Sequence, residues 1–192
     1  MGGWIPLHEI GEHYVKKYDG KRKINFHHFI HSLYTLVNMY YFSHSGYGYS
    51  KKLCKDITSW FVGNYLPRHK LDIDVIHRGL KRECVFGWCN LTGDSYRPRD
   101  FQIEIDTHLD IKTYTLTLIH ELIHVRQWVM GTLKMKSGRT FFNDNYDGSE
   151  YHNQGHEIEA HQQENILYEK FLLDRYGVTV EEVSFFYPKL GF

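Results

Sequence analysis

The segment from Tyr114 to Gly131 contains a complete His-Glu-x-x-His motif, made by His120, Glu121 and His124. On a helix, a spacing of four residues places the two histidines on one face, one turn apart, where both imidazoles can hold one metal ion. Glu121 lies about 100° around the helix from His120, so it does not compete as a ligand but can reach a water molecule on the metal. In a zinc hydrolase the metal lowers the pKa of that water and a carboxylate takes its proton. The motif therefore predicts a zinc site with Glu121 as the catalytic base.

The residues around the motif have the pattern of an amphipathic helix. When they are projected at about 100° each, the two histidines fall nearly opposite an apolar stripe. That stripe consists of Ile111, Leu118, Leu122, Val125 and Val129. Asp110 is suited to cap the start of the helix, and Gly131 to end it. A five-residue motif also occurs by chance in ordinary helices, but a helix with ligands on one side and apolar residues on the other favours a metal site beside a core.

A catalytic zinc has three protein ligands and one open position, so a third ligand must come from elsewhere in the chain. The segment Gln154 to Tyr176, ended by Gly177, is predicted to be a long helix. On it Glu157 shares a side with the packing residues, whereas Glu159 points nearly the opposite way. We therefore predict Glu157 as the third metal ligand. The alternatives are His156, Glu159 and His161, and His161 is also placed to orient a ligand from behind.

The chain upstream of the motif divides into a helical part and a sheet part. Helical spacing predicts one helix from Ile24 to Phe42 and another from Ser50 to about Tyr65, which together form an amino-terminal helical lobe over residues 1–67. After Pro67 the period changes to two, which predicts strands. Their ranges are Leu71–Val75, Arg82–Leu91 and Phe101–Asp106. We expect one α+β domain over residues 1–192: the lobe, a core over 68–177 with a small, mainly antiparallel sheet, and a tail over 178–192.

Two further groups of metal-binding residue types have simpler explanations. His27, His28 and His31 lie on the first predicted helix, but no carboxylate accompanies them in the position of Glu121. Surface or hydrogen-bonded core histidines are therefore favoured over a second metal site. Cys84 and Cys89 lack the second cysteine pair that a structural zinc site requires, so both are predicted to be buried strand residues.

Composition excludes several classes of function. The 23 basic residues balance the 23 acidic residues, so no overall field favours nucleic acid or an anionic membrane. No apolar run approaches the roughly 18 residues of a membrane span, and the amino terminus lacks the pattern of a signal peptide. Three cysteines are too few and odd in number for a disulfide framework, which suits a reducing compartment such as the cytoplasm. Oligomeric state is not indicated.

These motifs resemble those of the zincin superfamily of metallopeptidases, and specifically its glutamate-ligated branch, the gluzincins. That branch has His-Glu-x-x-His on one helix and a ligating Glu on a later helix, which corresponds here to His120–His124 and to Glu157. His161 stands where the family commonly has Asp, so an orienting role for it does not follow from the resemblance. The resemblance implies that the strand Phe101–Asp106 lies along the substrate. A metzincin is excluded because Gln127 and Met130 occupy the positions for its Gly and third His.

The segment His-Glu-Leu-Ile-His-Val-Arg-Gln with the later Glu-Ile-Glu-Ala is also similar to small metallopeptidases encoded by tailed bacteriophages. This resemblance covers about residues 71–176 and implies a place in the host cytoplasm or on the virion, with phage structural proteins as partners.

The expected activity is zinc-dependent hydrolysis of a protein or peptide. Peptide, peptidoglycan cross-bridge and self-cleavage all remain open as substrates. Tyr151, His152 and His156 are candidates for stabilising the oxyanion, and their spacing does not choose among them. The rival hypothesis is a structural or virion-associated protein without enzymatic activity, in which the metal joins two helices and a side chain such as His156 or His161 fills its fourth position.

Overall fold

The computed structural model describes residues 40–93 and 96–182. In chain order the elements are β1 (Tyr40–Gly46), α1 (Lys51–Tyr65), β2 (Leu71–Arg78), β3 (Gly87–Leu91), β4 (Asp100–Asp106), α2 (Ile111–Met130), β5 (Leu133–Lys136), β6 (Arg139–Phe142), β7 (Asn145–Tyr146) and α3 (Gly155–Tyr176). Short 3₁₀ turns lie at Lys81–Glu83 and Tyr151–Asn153. This is an α+β architecture, as predicted.

The main sheet is mixed, which corrects the prediction of a mainly antiparallel sheet. Its strand order is β1-β2-β4-β3, where β1 with β2 and β2 with β4 are parallel pairs and β3 with β4 is antiparallel. Parallel neighbours need a crossover that returns the chain to the starting edge, and α1 provides it between β1 and β2. Only β3, which joins β4 through a short connection, runs the other way. A separate antiparallel sheet is formed by β5, β6 and β7.

One core lies between the main sheet and the helices. Alternate residues of β2 and β4 point into it, as period-two burial along both strands shows. Helices α1, α2 and α3 contribute to the same core. Its fully buried members include Ile57 and Phe61 of α1, Ile73 and Val75 of β2, Ile103 and Ile105 of β4, Leu118 and Leu122 of α2, and Phe171 of α3.

The predicted amino-terminal helical lobe is wrong for the part of it that the structure describes. Residues 40–42, predicted to end a helix, begin β1, where Tyr40 pairs with Leu71 and Phe42 with Ile73. Aromatic residues favour strands, and pairing with β2 overrides the helical spacing of so short a segment. Helix α1 matches the second predicted helix, but it belongs to the common core. Residues 1–39 of the predicted lobe, with His27, His28 and His31, lie outside the described residues, as does the tail after residue 182.

The strands predicted around Ile73 and Ile103 are confirmed, whereas the one predicted from Arg82 is shorter. Arg82 lies in a 3₁₀ turn, and β3 begins only at Gly87. The prediction for Cys84 is wrong, because this residue ends the turn with φ at 56° and is exposed, while Cys89 is half-buried in β3. None of the helices in the described part of the chain is both long and apolar enough to cross a membrane.

Candidate metal centre

Helix α2 begins and ends where the sequence predicts. The side chain of Asp110 accepts hydrogen bonds from the backbone N–H groups of Lys112 and Thr113, which have no partner inside the helix. Gly131 ends the helix with φ at 73°, a left-handed conformation that glycine adopts without steric cost. The apolar face of α2 enters the core, so the face with His120 and His124 turns towards α3.

Two ring nitrogens of α2 and the two carboxylate oxygens of one residue of α3 converge. Nε2 of His120 lies 3.1 Å from Nε2 of His124 and 3.3 Å from Oε2 of Glu157, and Nε2 of His124 lies 3.3 Å from Oε1 of Glu157. Ligand atoms that hold zinc tetrahedrally at about 2.0–2.1 Å stand about 3.3 Å from one another. The three side chains therefore fit a single metal ion, and Glu157, the predicted third residue, completes the group.

The buried carboxylate of Glu157 has the environment of a ligand. Its residue is only 3 % exposed, and Oε1 lies 3.3 Å from Nε2 of His124 and 3.4 Å from Nε2 of His156. Burial tends to raise the pKa of this carboxyl, but hydrogen bonds with His120, His124 and His156 hold the pKa well below its ordinary value. An ionised carboxylate in a buried position must be paired with positive charge, and a divalent cation satisfies both oxygens. Two histidines and one glutamate are a typical donor set for zinc.

Two side chains that sequence reasoning did not assign fix the orientation of the histidines. Oε2 of Glu164 lies 2.8 Å from Nδ1 of His120, and Oε1 of Gln127 lies 2.8 Å from Nδ1 of His124. The amide nitrogen of Gln127 donates to the carbonyl of His156, which leaves its oxygen to accept from His124. With a metal ion bound, both rings would therefore carry their proton on Nδ1 and present the Nε2 lone pair to the ion.

The orienting residues explain the electrostatics of the centre. Burial lowers the pKa of His120, but hydrogen bonds with Glu157 and Glu164 outweigh it and raise the pKa to about 10. The pocket around this ring is therefore strongly negative and attracts a cation. Glu164 follows Glu157 by seven residues, about two helical turns, so the sequence already places both carboxylates on one face of α3. His161, the predicted orienting residue, instead lies beside the His120 ring at 4.7 Å between centroids.

Glu121 lies next to the three donors but is not one of them. It is 5 % exposed, and burial raises the pKa of its carboxyl to about 7. Gly87 of β3 lies against this carboxylate. A β-carbon at Gly87 would lie 2.8 Å from Oε1 of Glu121 and 2.9 Å from Cγ2 of Thr117. The absence of a side chain at Gly87 thus makes room for the carboxylate. A carboxyl with a pKa near neutrality is suited to exchange protons at physiological pH.

The three candidates for oxyanion stabilisation lie at the start of α3, in different settings. Burial raises the pKa of Tyr151, and a hydrogen bond with Glu157 raises it further. Nε2 of His156 lies 3.4 Å from Oε1 of Glu157, and its Nδ1 is buried without a partner in the described part of the chain. His152 is exposed, and its ring contacts only that of Tyr151 among the ring contacts of the described residues. Tyr151 and His156 are thus brought to the centre, and His152 is not.

The strand implied to lie along a substrate is not free to do so. β4 is paired on both sides, with β2 and with β3, so its backbone groups are used within the sheet. The strand at this edge of the sheet is β3, which carries Gly87 beside Glu121. The expectation for Phe101–Asp106 is therefore wrong, because β3 lies between β4 and the edge.

Comparisons of the chain with family models, with curated proteins and with solved structures found no match for any part of it. The donor geometry is therefore the basis for assigning a function.

Proposed function

We propose that this protein is a zinc-dependent metallopeptidase. The observation that carries the proposal is the convergence of His120, His124 and Glu157, with donor atoms 3.1 to 3.3 Å apart, beside a buried carboxylate that is not a donor. A centre with three protein ligands keeps a position open for the substrate. A metal ion that only needed to join α2 and α3 would gain nothing from Glu121 in this place.

Each residue of the centre has a role in the proposed reaction. When bound, zinc polarises the carbonyl of the substrate and lowers the pKa of water. A carboxylate oxygen of Glu121 takes a proton from the attacking water and returns it to the nitrogen of the leaving amine. His120, His124 and Glu157 hold the ion, while Glu164 and Gln127 keep the two rings oriented.

The substrate is proposed to pair with β3 as an added strand. β3 is an edge strand, so one row of its N–H and C=O groups is not used by β4. A peptide that adds to such an edge gains main-chain hydrogen bonds, and here it would pass Glu121 at the position of Gly87.

Tyr151 is our candidate for stabilising the oxyanion. Its hydroxyl lies near Glu157, and its ring packs at 6.2 Å from that of Trp88 on β3. It therefore lies between the proposed path of the substrate and the donors. A hydroxyl here can donate a hydrogen bond to the oxygen on which negative charge develops.

The alternative function, a metal that joins two helices without catalysis, has one observation in its favour. His156 lies beside Glu157 and has a ring nitrogen without a partner among the described residues, so a small movement would make it a fourth ligand. However, His156 is not part of the group of three whose donor atoms all lie within 4.8 Å of one another. We therefore favour the open centre.

The test is a digest of a broad peptide library followed by mass spectrometry, with protein stripped by a chelator and then given one equivalent of zinc. We expect cleavage only after zinc is restored, and none by His124→Ala treated identically. Equal cleavage by His124→Ala would show a contaminating protease. No cleavage by zinc-loaded protein, together with a zinc-dependent rise in melting temperature, would favour the alternative function.

A further inference from the structure

A second group of donors shares His120 with the first. One ring nitrogen each of His120 and His161 and a carboxylate oxygen of Glu164 all lie within 4.8 Å of one another. Nδ1 of His120 is 2.8 Å from Oε2 of Glu164, and Nδ1 of His161 is 3.4 Å from the same oxygen. We call this the outer group, and His120, His124 and Glu157 the inner group. The two groups lie on opposite sides of the His120 ring.

The two groups differ in how solvent reaches them. The side chain of His161 is 57 % exposed and that of Glu164 is 20 % exposed, whereas Glu157 of the first group is only 3 % exposed. An ion from solution therefore meets the outer group directly. The donor set is the same, two imidazoles and one carboxylate, which is the kind that binds zinc and other divalent transition metals.

We propose that His161, Glu164 and His120 form a second divalent transition-metal site that competes with the first for His120. This inference rests on the proposed metal centre, because it concerns the regulation of that centre. Excess metal that binds in the outer group takes Nδ1 of His120, and the proton that Nδ1 donates to Glu164 leaves to solvent.

Competition follows from the chemistry of one imidazole ring. A neutral ring offers one lone pair, and its other nitrogen carries a proton. With metal in the inner group, Nε2 of His120 coordinates and Nδ1–H donates to Glu164. When excess metal fills both groups at once, Nδ1 coordinates the outer ion and Nε2 takes a proton from solvent, so the inner ion keeps only His124 and Glu157 as ligands. Two ligands hold zinc poorly. Excess metal should therefore inhibit the protein.

Cobalt titration followed by visible absorption tests the site without any substrate, because the spectrum of Co²⁺ reports its ligands. In the parent protein we expect a first phase complete near one equivalent and a second, weaker phase in which the spectrum changes as excess cobalt occupies the outer group. His161→Gln should keep the first phase and weaken the second at least tenfold. With zinc, the same substitution should move inhibition of any peptidase activity to higher zinc concentration by a similar factor.

His108→Gln is the matched control, since His108 is an exposed histidine that also lies beside a carboxylate, that of Asp106, but belongs to neither group. It should behave as the parent does. His124→Ala should weaken the first phase, which separates the two proposals. A titration with the first phase alone would overturn the second site and leave the proposed function standing, as would a second phase unchanged by His161→Gln. A parent protein without the first phase would instead overturn the proposed function.

Discussion

Glu157 and Glu159 are two residues apart on α3 but have different surroundings. Glu157 faces the two ring nitrogens of the centre. Glu159 accepts hydrogen bonds from the side-chain amides of Gln127 and Gln163 and takes part in no donor group among the described residues. Helical geometry alone separates them, so the sequence distinguishes Glu157, on the side of the two histidines, from Glu159.

This difference gives a prediction for zinc affinity. Glu157→Gln removes a proposed ligand. We therefore expect it to raise the dissociation constant for zinc, measured by competition with a chelating dye, by more than the substitution of an orienting residue does. Glu164→Gln should raise it by about 10- to 100-fold, the loss usual for a group that orients a ligand. Glu159→Gln should change it least. An effect at Glu159 as large as that at Glu157 would mean that the register of α3 is wrong.

Gly87 limits what can stand beside Glu121, the proposed catalytic base. A β-carbon there would lie 2.8 Å from Oε1 of Glu121, closer than van der Waals contact allows. Gly87→Ala should therefore displace Glu121 and lower kcat on a cleaved peptide, and a misplacement of about 1 Å can cost about 100-fold. Zinc affinity should stay close to that of the parent, because no ligand moves.

Two further variants make this prediction specific. Gly63→Ala on α1 meets no atom within 4 Å and should retain full activity. Thr117→Ser removes the methyl group that a β-carbon at position 87 would also press on, so it should restore part of the activity when combined with Gly87→Ala. Normal kcat in Gly87→Ala would refute this role of Gly87.

The residues that orient the two histidines, Gln127 and Glu164, were not predicted from the sequence. His120, Glu121 and His124 follow from spacing on one helix, and Glu157 from the face of another. The roles of Gln127 and Glu164 depend on contacts between α2 and α3, and so on how the two helices are offset along each other. Periodicity within either helix does not contain that offset.

Asp110 caps the amino terminus of helix α2. Asp110 accepts two backbone hydrogen bonds and one from the hydroxyl of Thr113. Asp110→Ala should lower the free energy of unfolding by about 0.5–2 kcal/mol, measured by urea denaturation of the metal-free protein. Asp144→Ala, which breaks an exposed ion pair with Lys134 outside this helix, should change the free energy of unfolding much less. A loss at Asp110 no larger than that at Asp144 would contradict a stabilising role for this cap.

The alternation of apolar residues predicted where strands lie but not their direction in the sheet. Alternation identified β2 and β4 correctly, because each has one buried face. Direction was not predictable in the same way, since alternation is identical in parallel and antiparallel pairs. The parallel pair of β2 with β4 therefore did not follow from the alternation of either strand. A second parallel pair, β1 with β2, was missed because the first three residues of β1 were predicted to end a helix.

A buried histidine far along the chain from the motif affects the stability of the whole molecule. His77 is fully enclosed, and its Nε2 lies 2.9 Å from the hydroxyl of Tyr114. Burial, with a smaller effect from His44, lowers its pKa to about 4 from the ordinary value of 6.5. The unfolded chain therefore binds a proton at His77 between these values, while the folded protein does not.

The sign of the pH effect follows directly. The free energy of unfolding should fall as the pH drops from about 6.5 to about 4, by at most about 1.4 kcal/mol per pH unit from this residue. His77→Gln removes the titrating group, so its metal-free form should lose less stability than the parent between about pH 7 and about pH 5 in urea denaturation. Parallel losses in the two proteins would show that His77 is not the cause.

The central claim is that Glu121 moves protons at a metal centre it does not help to build. Glu121→Gln keeps the size of the side chain but replaces its carboxylate with an amide that cannot take a proton at physiological pH. The decisive measurement is the turnover of Glu121→Gln, at matched zinc content, on a peptide that the parent cleaves. We predict a full equivalent of zinc in the variant and a loss of kcat of at least about 100-fold, within the range typical of general base catalysis. Equal turnover by the two zinc-loaded proteins would contradict the account.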